Sequence, residues 1–130
     1  MKWLLENVPG LAEQENLILG TIDTYLIARL SSCASIVTDS TNASRTMLMD
    51  INKLEWSPKM LGEYGMQEKW LPKIIKESSA QFGEISDVAV TTLKGVPISG
   101  VLGDQQAACL GHILRDGQVK NTYGTGCFLL

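Results

Sequence analysis

Two short stretches of this 130-residue chain hold the residue types that chemistry needs. In GDQQAA, Gly103–Ala108, a lone carboxylate follows the apolar run VPISGVLG and precedes a helix-like segment, so Asp104 stands where a strand hands over to a helix. It has two readings there. An Asp at that place can cap the helix by accepting a bond from an orphan backbone N–H, or it can be a catalytic carboxylate. In NTYGTGCF, Asn121–Phe128, Gly124 and Gly126 bracket Thr125. The glycines let the backbone take positive φ and turn its N–H groups outward, as a phosphate cradle requires. A plain hairpin turn needs them equally. No Lys follows them as in a Walker loop, and they join two strand-like segments, unlike a dinucleotide fingerprint.

The elements that must position these residues alternate along the chain. Met1 to Asn7 reads as a helix closed by the Pro9-Gly10 turn. Leu17 to Gly20 reads as a short buried strand, and Asp23 to Leu30 as a helix with Leu26, Ile27 and Leu30 on one face. IVTDSTNASRT passes from β-branched residues into a polar loop. Ser57 and Pro58 mark a helix start, cap followed by a first-turn proline. FGEI reads as a brief strand and VAVTTLKG as a strand and turn. VPISGVL has the content of a buried strand, and DQQAACLGHIL the spacing of a helix packed back on it. QVKNT and CFLL flank YGTG as a hairpin would. The expectation is an α/β unit up to Gly117, with a second unit beginning there.

Composition narrows the function classes. Hydrophobic residues make up 45% of the chain, enough for one domain's core. A net charge of −3 with scattered Lys and Arg argues against nucleic acid as a partner. No apolar run approaches the roughly 20 residues that cross a bilayer, and MKWLL is too short for a signal peptide. A soluble, cytoplasmic protein with no membrane insertion is expected. Cys33, Cys109 and Cys127 form no C-x-x-C pair and His112 is the sole histidine, so a zinc site is not expected. Trp3, Trp56 and Trp70 read as packing residues. The opening WLLENV, already helix-like, and the closing CFLL suggest part of a longer protein.

GDQQAA followed by KNTYGTGCF, with GTIDTYLI and TDSTNASRTM upstream, resembles the FGGY carbohydrate-kinase family, and within it the members that phosphorylate glycerol. The resemblance covers nearly all 130 residues. It implies an α/β, ribonuclease H-like (actin-like ATPase) fold with ATP and glycerol meeting between two domains. Residues 1–116 would be the later part of the N-terminal domain, and 117–130 the first β-hairpin of the C-terminal one. The family's N-terminal phosphate loop, its Arg-Glu pair and Tyr that grip glycerol, and most of the adenine pocket would lie outside this sequence.

Carried over residue by residue, the resemblance makes Asp104 the general base that takes the glycerol proton, close to Mg²⁺. Gln105 would bond a second glycerol hydroxyl through an amide that both donates and accepts. Phe128 would wall the glycerol carbons, unless it is simply a core residue of its strand. Gly124, Thr125 and Gly126 would contact the nucleotide phosphates. Asp23 and Thr24 read as helix capping, and Asn42, Ser44 and Arg45 as an internally bonded loop. Where relatives controlled by fructose 1,6-bisphosphate have a Gly-rich loop ending in Arg, this chain has VAVTTLKGVPIS with Lys94, so that control is not implied. The connection between the GDQQAA helix and the hairpin is about one residue shorter than in bacterial relatives. A kinase for another polyol or sugar and a non-catalytic fragment stand as alternatives, and the resemblance also admits a homo-oligomer of the full-length protein.

Overall fold

Helix α1, Lys2–Asn7, ends before Pro9 and Gly10, and Gly10 takes φ 72° where the chain turns back. The computed structural model describes residues 1–130, apart from the side chains at positions 88 and 90. Leu17 to Gly20 is not a strand. Strands need a repeated ladder, and here the Leu19 N–H alone reaches across, to the Trp70 carbonyl at 2.7 Å.

Helix α2, Ile22–Leu30, turns Asp23, Thr24 and Ile27 inward, while Leu26 is 51% exposed. The expected apolar face is therefore rotated. A buried carboxylate is tolerated because Thr38 Oγ1 donates to Asp23 Oδ2 at 2.7 Å and the Thr21 hydroxyl donates to Oδ1. Thr21, not Asp23, is the N-cap.

Strand β1, Val37–Asp39, is wholly buried and pairs in parallel with β4, Lys73–Ile75. Between them the supposed polar loop folds into helix α3, Ser40–Ala43, and a 3₁₀ turn, Ser44–Thr46. A small antiparallel pair follows, β2 (Met49–Asp50) with β3 (Glu55–Trp56). Helix α4, Pro58–Tyr64, starts as its sequence announces, with the Ser57 side chain accepting from the Met60 N–H and Gly65 closing it at φ 65°.

Strand β5, Gly83–Glu84, pairs antiparallel with β6, Pro97–Ile98. β6 is far shorter than VPISGVL suggests, because Pro97 has no N–H to donate and Val96 and Leu102 face solvent. VAVTTLKG is a 3₁₀ turn, Val88–Leu93, begun by the Asp87 side chain accepting from the Ala89 N–H at 2.8 Å. Helix α5, Asp104–Gly111, buries none of its residues. A two-residue β6 paired only to β5 offers no sheet face broad enough to cover it. Strands β7, Asn121–Tyr123, and β8, Cys127–Leu129, form the expected hairpin.

Two apolar clusters hold these pieces. Leu19, Leu48, Leu61, Met66, Trp70 and Leu71 form one; Ile27, Val37 and Phe82 form the other, against which Ile98 and Val101 pack. Trp70 belongs to the first and Trp56 packs on it, its indole N–H bonded to the Pro72 carbonyl at 2.9 Å. Trp3 stands outside both clusters and is 67% exposed. The second cluster sits under β1 and β6 and so fixes the two chain segments that lead to Asp39 and to Asp104. No helix among the described residues is long and apolar enough to cross a membrane.

Candidate active site

Gly103 is the N-cap of α5 and supplies no side-chain cap, so Asp104 is the first helical residue and does not cap it. Its Oδ1 accepts from the Gln105 N–H at 2.8 Å, and the side chain stays exposed. A first-turn carboxylate also sits at the positive end of the helix dipole. Asp104 is thus not the N-cap residue, yet it satisfies one first-turn N–H from inside the helix and otherwise stands as an exposed carboxylate on a fixed backbone.

What fixes that backbone comes from residues far back in the chain. The Gly103 N–H donates to Thr41 Oγ1 at 2.7 Å, and the Thr41 hydroxyl donates to Asp39 Oδ2 at 2.6 Å. Asp39 has no exposed surface. It also accepts from the Thr41 N–H at 3.1 Å, the Asn42 N–H at 3.0 Å, Asn42 Nδ2 at 2.7 Å and Ser78 Oγ at 2.7 Å. Burial pushes the Asp39 carboxyl upward, but the bonds from Thr41, Ser78 and Asn42 together outweigh it and hold the group below its ordinary 3.8. An ionised carboxylate only accepts, so it forces the Thr41 hydroxyl to donate toward it and to offer its lone pair to Gly103. Gly103 also fits tightly, since a Cβ there would meet Gln106 Oε1 at 2.8 Å.

Gln105 reaches in the other direction. Its Oε1 accepts from Lys120 Nζ at 2.8 Å and from Thr122 Oγ1 at 3.3 Å, and the Lys120 ammonium also bonds the Thr122 hydroxyl. Lys120 directly precedes β7 and exchanges both backbone hydrogen bonds with Leu130, so it continues the hairpin ladder and shares a face with Thr122 two residues on. Thr122 lies opposite Phe128 in the β7–β8 register, so Phe128 is on that face too. The structure therefore brings Gln105 and Phe128 to the same hairpin face. Phe128 is 50% exposed on this hairpin.

The turn differs from expectation in its reason for glycine. Neither Gly124 nor Gly126 takes positive φ. The Gly124 N–H is spent on the Gly126 carbonyl at 3.0 Å, and Thr125 stands exposed at the tip. Gly126 is small for another cause: a Cβ would lie 2.9 Å from Phe128 Cε2, so the ring rests against the Gly126 backbone. Gly126→Ala should push the ring aside at a loss of under about 1 kcal/mol, since the half-exposed ring can swing; a melting curve checks it.

The remaining candidates stay within the fold. Asn42 binds Asp39, Ser44 Oγ donates to the Thr41 carbonyl at 2.8 Å, and the exposed Arg45 donates Nε to Ser44 Oγ at 3.4 Å. His112 is the exposed C-cap of α5, and the three cysteines are free thiols. Among the described residues no three His, Cys, Asp or Glu side chains gather as a metal-holding group. A cavity of about 650 Å³ along Trp56, Pro72 and Lys76 shares no residue with this site. Sequence reasoning missed Asp39, Thr41 and Lys120. The signals were there: an Asp followed by Ser-Thr-Asn is an N-cap pattern, and the i, i+2 spacing of Lys120 and Thr122 puts both on one strand face.

A family model described as the FGGY family of carbohydrate kinases, N-terminal domain, matches residues 1–111. A glycerol kinase of Vibrio cholerae is 45% identical over 134 aligned positions, covering 100% of this chain and 26% of that protein. The crystal structure of Plasmodium falciparum glycerol kinase with ADP superposes with a TM-score of 0.88 at 40% identity, covering 98% of this chain and 26% of that one. A xyloylose kinase from Brucella ovis shares the fold, with a TM-score of 0.82 at 21% identity over 98% of this chain and 26% of that one. The chain spans about a quarter of the length of these relatives, and its fold is the corresponding part of the ribonuclease H-like, actin-like ATPase architecture.

Proposed function

The chain belongs to the FGGY family of carbohydrate kinases, and from that premise we propose that the protein carrying it is a glycerol kinase, transferring the γ-phosphoryl group of ATP to glycerol to give sn-glycerol 3-phosphate. The observation that carries this reading is the exposed Asp104 carboxylate in the first turn of α5, beside a Gln105–hairpin cluster, in a chain similar over its whole length to glycerol kinases.

Phosphoryl transfer to an alcohol depends on aligning the attacking oxygen and stabilising charge, with a base within about 3 Å to orient the hydroxyl and take its proton late in the step. Asp104 is that base. Its exposure lets a hydroxyl approach, and its anchored backbone at Gly103 keeps the carboxylate from drifting. Gln105 bonds a second glycerol hydroxyl, and Phe128 covers the carbon skeleton on the same face. Thr125, at the exposed tip between Gly124 and Gly126, contacts the nucleotide phosphates through its hydroxyl and backbone. Mg²⁺ fits this donor set, because it takes one or two carboxylates and fills its other positions with water and phosphate oxygens; Asp104 is the carboxylate offered. The ion would neutralise phosphate charge as transfer proceeds. On this reading the passage from the first domain to the second falls at Gly117, a glycine held at φ 81°.

Glycerol-dependent ADP release by the full-length protein tests the reading. Turnover with glycerol and ATP is expected, with a D-sugar or another polyol a poor replacement; turnover with such a sugar and none with glycerol would make it a different kinase of the family. The 130-residue chain alone should release no ADP in response to glycerol, since the rest of the cleft is supplied elsewhere in the protein. Glycerol-dependent turnover by this chain would contradict that.

A further inference from the structure

We infer that Lys120 is a positioning residue that sets the polarity of Gln105, so that the glutamine meets its substrate as a hydrogen-bond donor only. The inference rests on the placement of Gln105 against glycerol. Lys120 is only 8% exposed, and its ammonium bonds two neutral side chains, Gln105 Oε1 at 2.8 Å and the Thr122 hydroxyl. Among the described residues its Nζ has no carboxylate within ion-pair distance. Holding a cation there is costly unless its hydrogen bonds are made. An ammonium has donors and no acceptor, so the side of the Gln105 amide that faces it must be the oxygen. Thr122 Oγ1 lies 3.3 Å from the same oxygen. With its acceptor engaged from the hairpin, Gln105 is left with its NH₂ to offer, and a substrate hydroxyl there must accept. A free glutamine would present either end and would bind donors and acceptors alike. Because Gln105 is on α5 and Lys120 on the hairpin, the same bond ties the orientation of the substrate contact to the docking of the two elements.

The test uses the full-length enzyme and steady-state kinetics with glycerol and ATP. Lys120→Met should raise the KM for glycerol roughly tenfold, the size expected for a lost charge-assisted bond, while the KM for ATP stays within about twofold. In a Gln105→Ala background, which itself raises the glycerol KM, Lys120→Met should add less than about twofold, because the lysine acts through the amide. Gln105→Glu leaves the lysine in place and keeps an acceptor for it, so the melting temperature should hold; yet its carboxylate has no N–H to give, and the glycerol KM should rise as in Gln105→Ala. A wild-type glycerol KM in Gln105→Glu, or equal multiplicative losses from Lys120→Met with and without Gln105, would overturn the inference. An unchanged glycerol KM in Gln105→Ala would instead remove Gln105 from the substrate site and with it the premise.

Discussion

Asp39→Ala should cost the full-length protein about 3 kcal/mol or more, read as a fall in the urea midpoint at neutral pH. The carboxylate is entirely buried and accepts five hydrogen bonds from Thr41, Asn42 and Ser78. Truncation leaves those donors facing an apolar side chain, and each buried donor without a partner costs about 1–3 kcal/mol before relaxation. It also frees the Thr41 hydroxyl from its donor role, so the Gly103 N–H loses a lone pair that is held in place for it. A stability loss should therefore come with lower activity even in molecules that remain folded. Loss of less than about 1 kcal/mol would mean that this cluster does not anchor the start of α5.

The same carboxylate makes stability depend on pH in one direction. Its folded-state pKa lies below the ordinary 3.8, so the unfolded chain binds the proton more readily and unfolding takes one up. The contribution is fully present above pH 3.8 and is lost as pH falls through the lower folded-state value. Asp39→Asn, which cannot take up that proton, should flatten the decline of the urea midpoint below pH 4 while lowering the midpoint at pH 7. An unchanged acid slope in the variant would assign the decline to other groups.

The parts of this molecule that were legible in the sequence are those decided by neighbours in the chain. Ser57 and Pro58 start α4 through a side-chain cap and a missing N–H, both local matters. The hairpin around Gly124–Gly126 is legible for the same reason, although the small residue at 126 answers to the Phe128 ring and not to backbone φ. Other strands were legible only in part: FGEI holds β5 as read, but longer runs did not become strands. Leu17–Gly20 and VPISGVL have the composition of strands, but a strand exists only where another segment supplies its ladder, and here one bond or two residues are all that form.

The site divides along the same line. The resemblance of GDQQAA and NTYGTGCF is what proposes roles for Asp104, Gln105 and Phe128. Their supports are legible only in part. The Asp39 N-cap pattern stands in TDSTNAS, but its full burial and its bond from Ser78, 39 positions on, do not show there. Lys120 looks like a surface cation beside Asn121, and only the docking of the hairpin against Gln105 buries it. Asp23 shows the reverse case, a residue read as a cap that turns out to be a buried acceptor for Thr38. In each instance the chemistry of the side chain and its near neighbours was visible, and the distant partner that completes its environment, Ser78, Gln105 or Thr38, was not.

Asp104→Asn in the full-length protein tests the central claim most directly, with kcat for glycerol phosphorylation and ATP affinity measured on the same preparation. Asparagine keeps the shape and the helix position but cannot take the hydroxyl proton. A base that acts mainly in the transition state should show its removal in kcat and kcat/KM together, by about 10²–10⁴-fold, with little change in nucleotide binding. Because Asp104 is exposed and its bond from the Gln105 N–H can be kept by the asparagine oxygen, the melting temperature should move by no more than a degree or two, so a collapse of kcat cannot be assigned to unfolding. A kcat within a few-fold of wild type would contradict the account and leave Asp104 without its role.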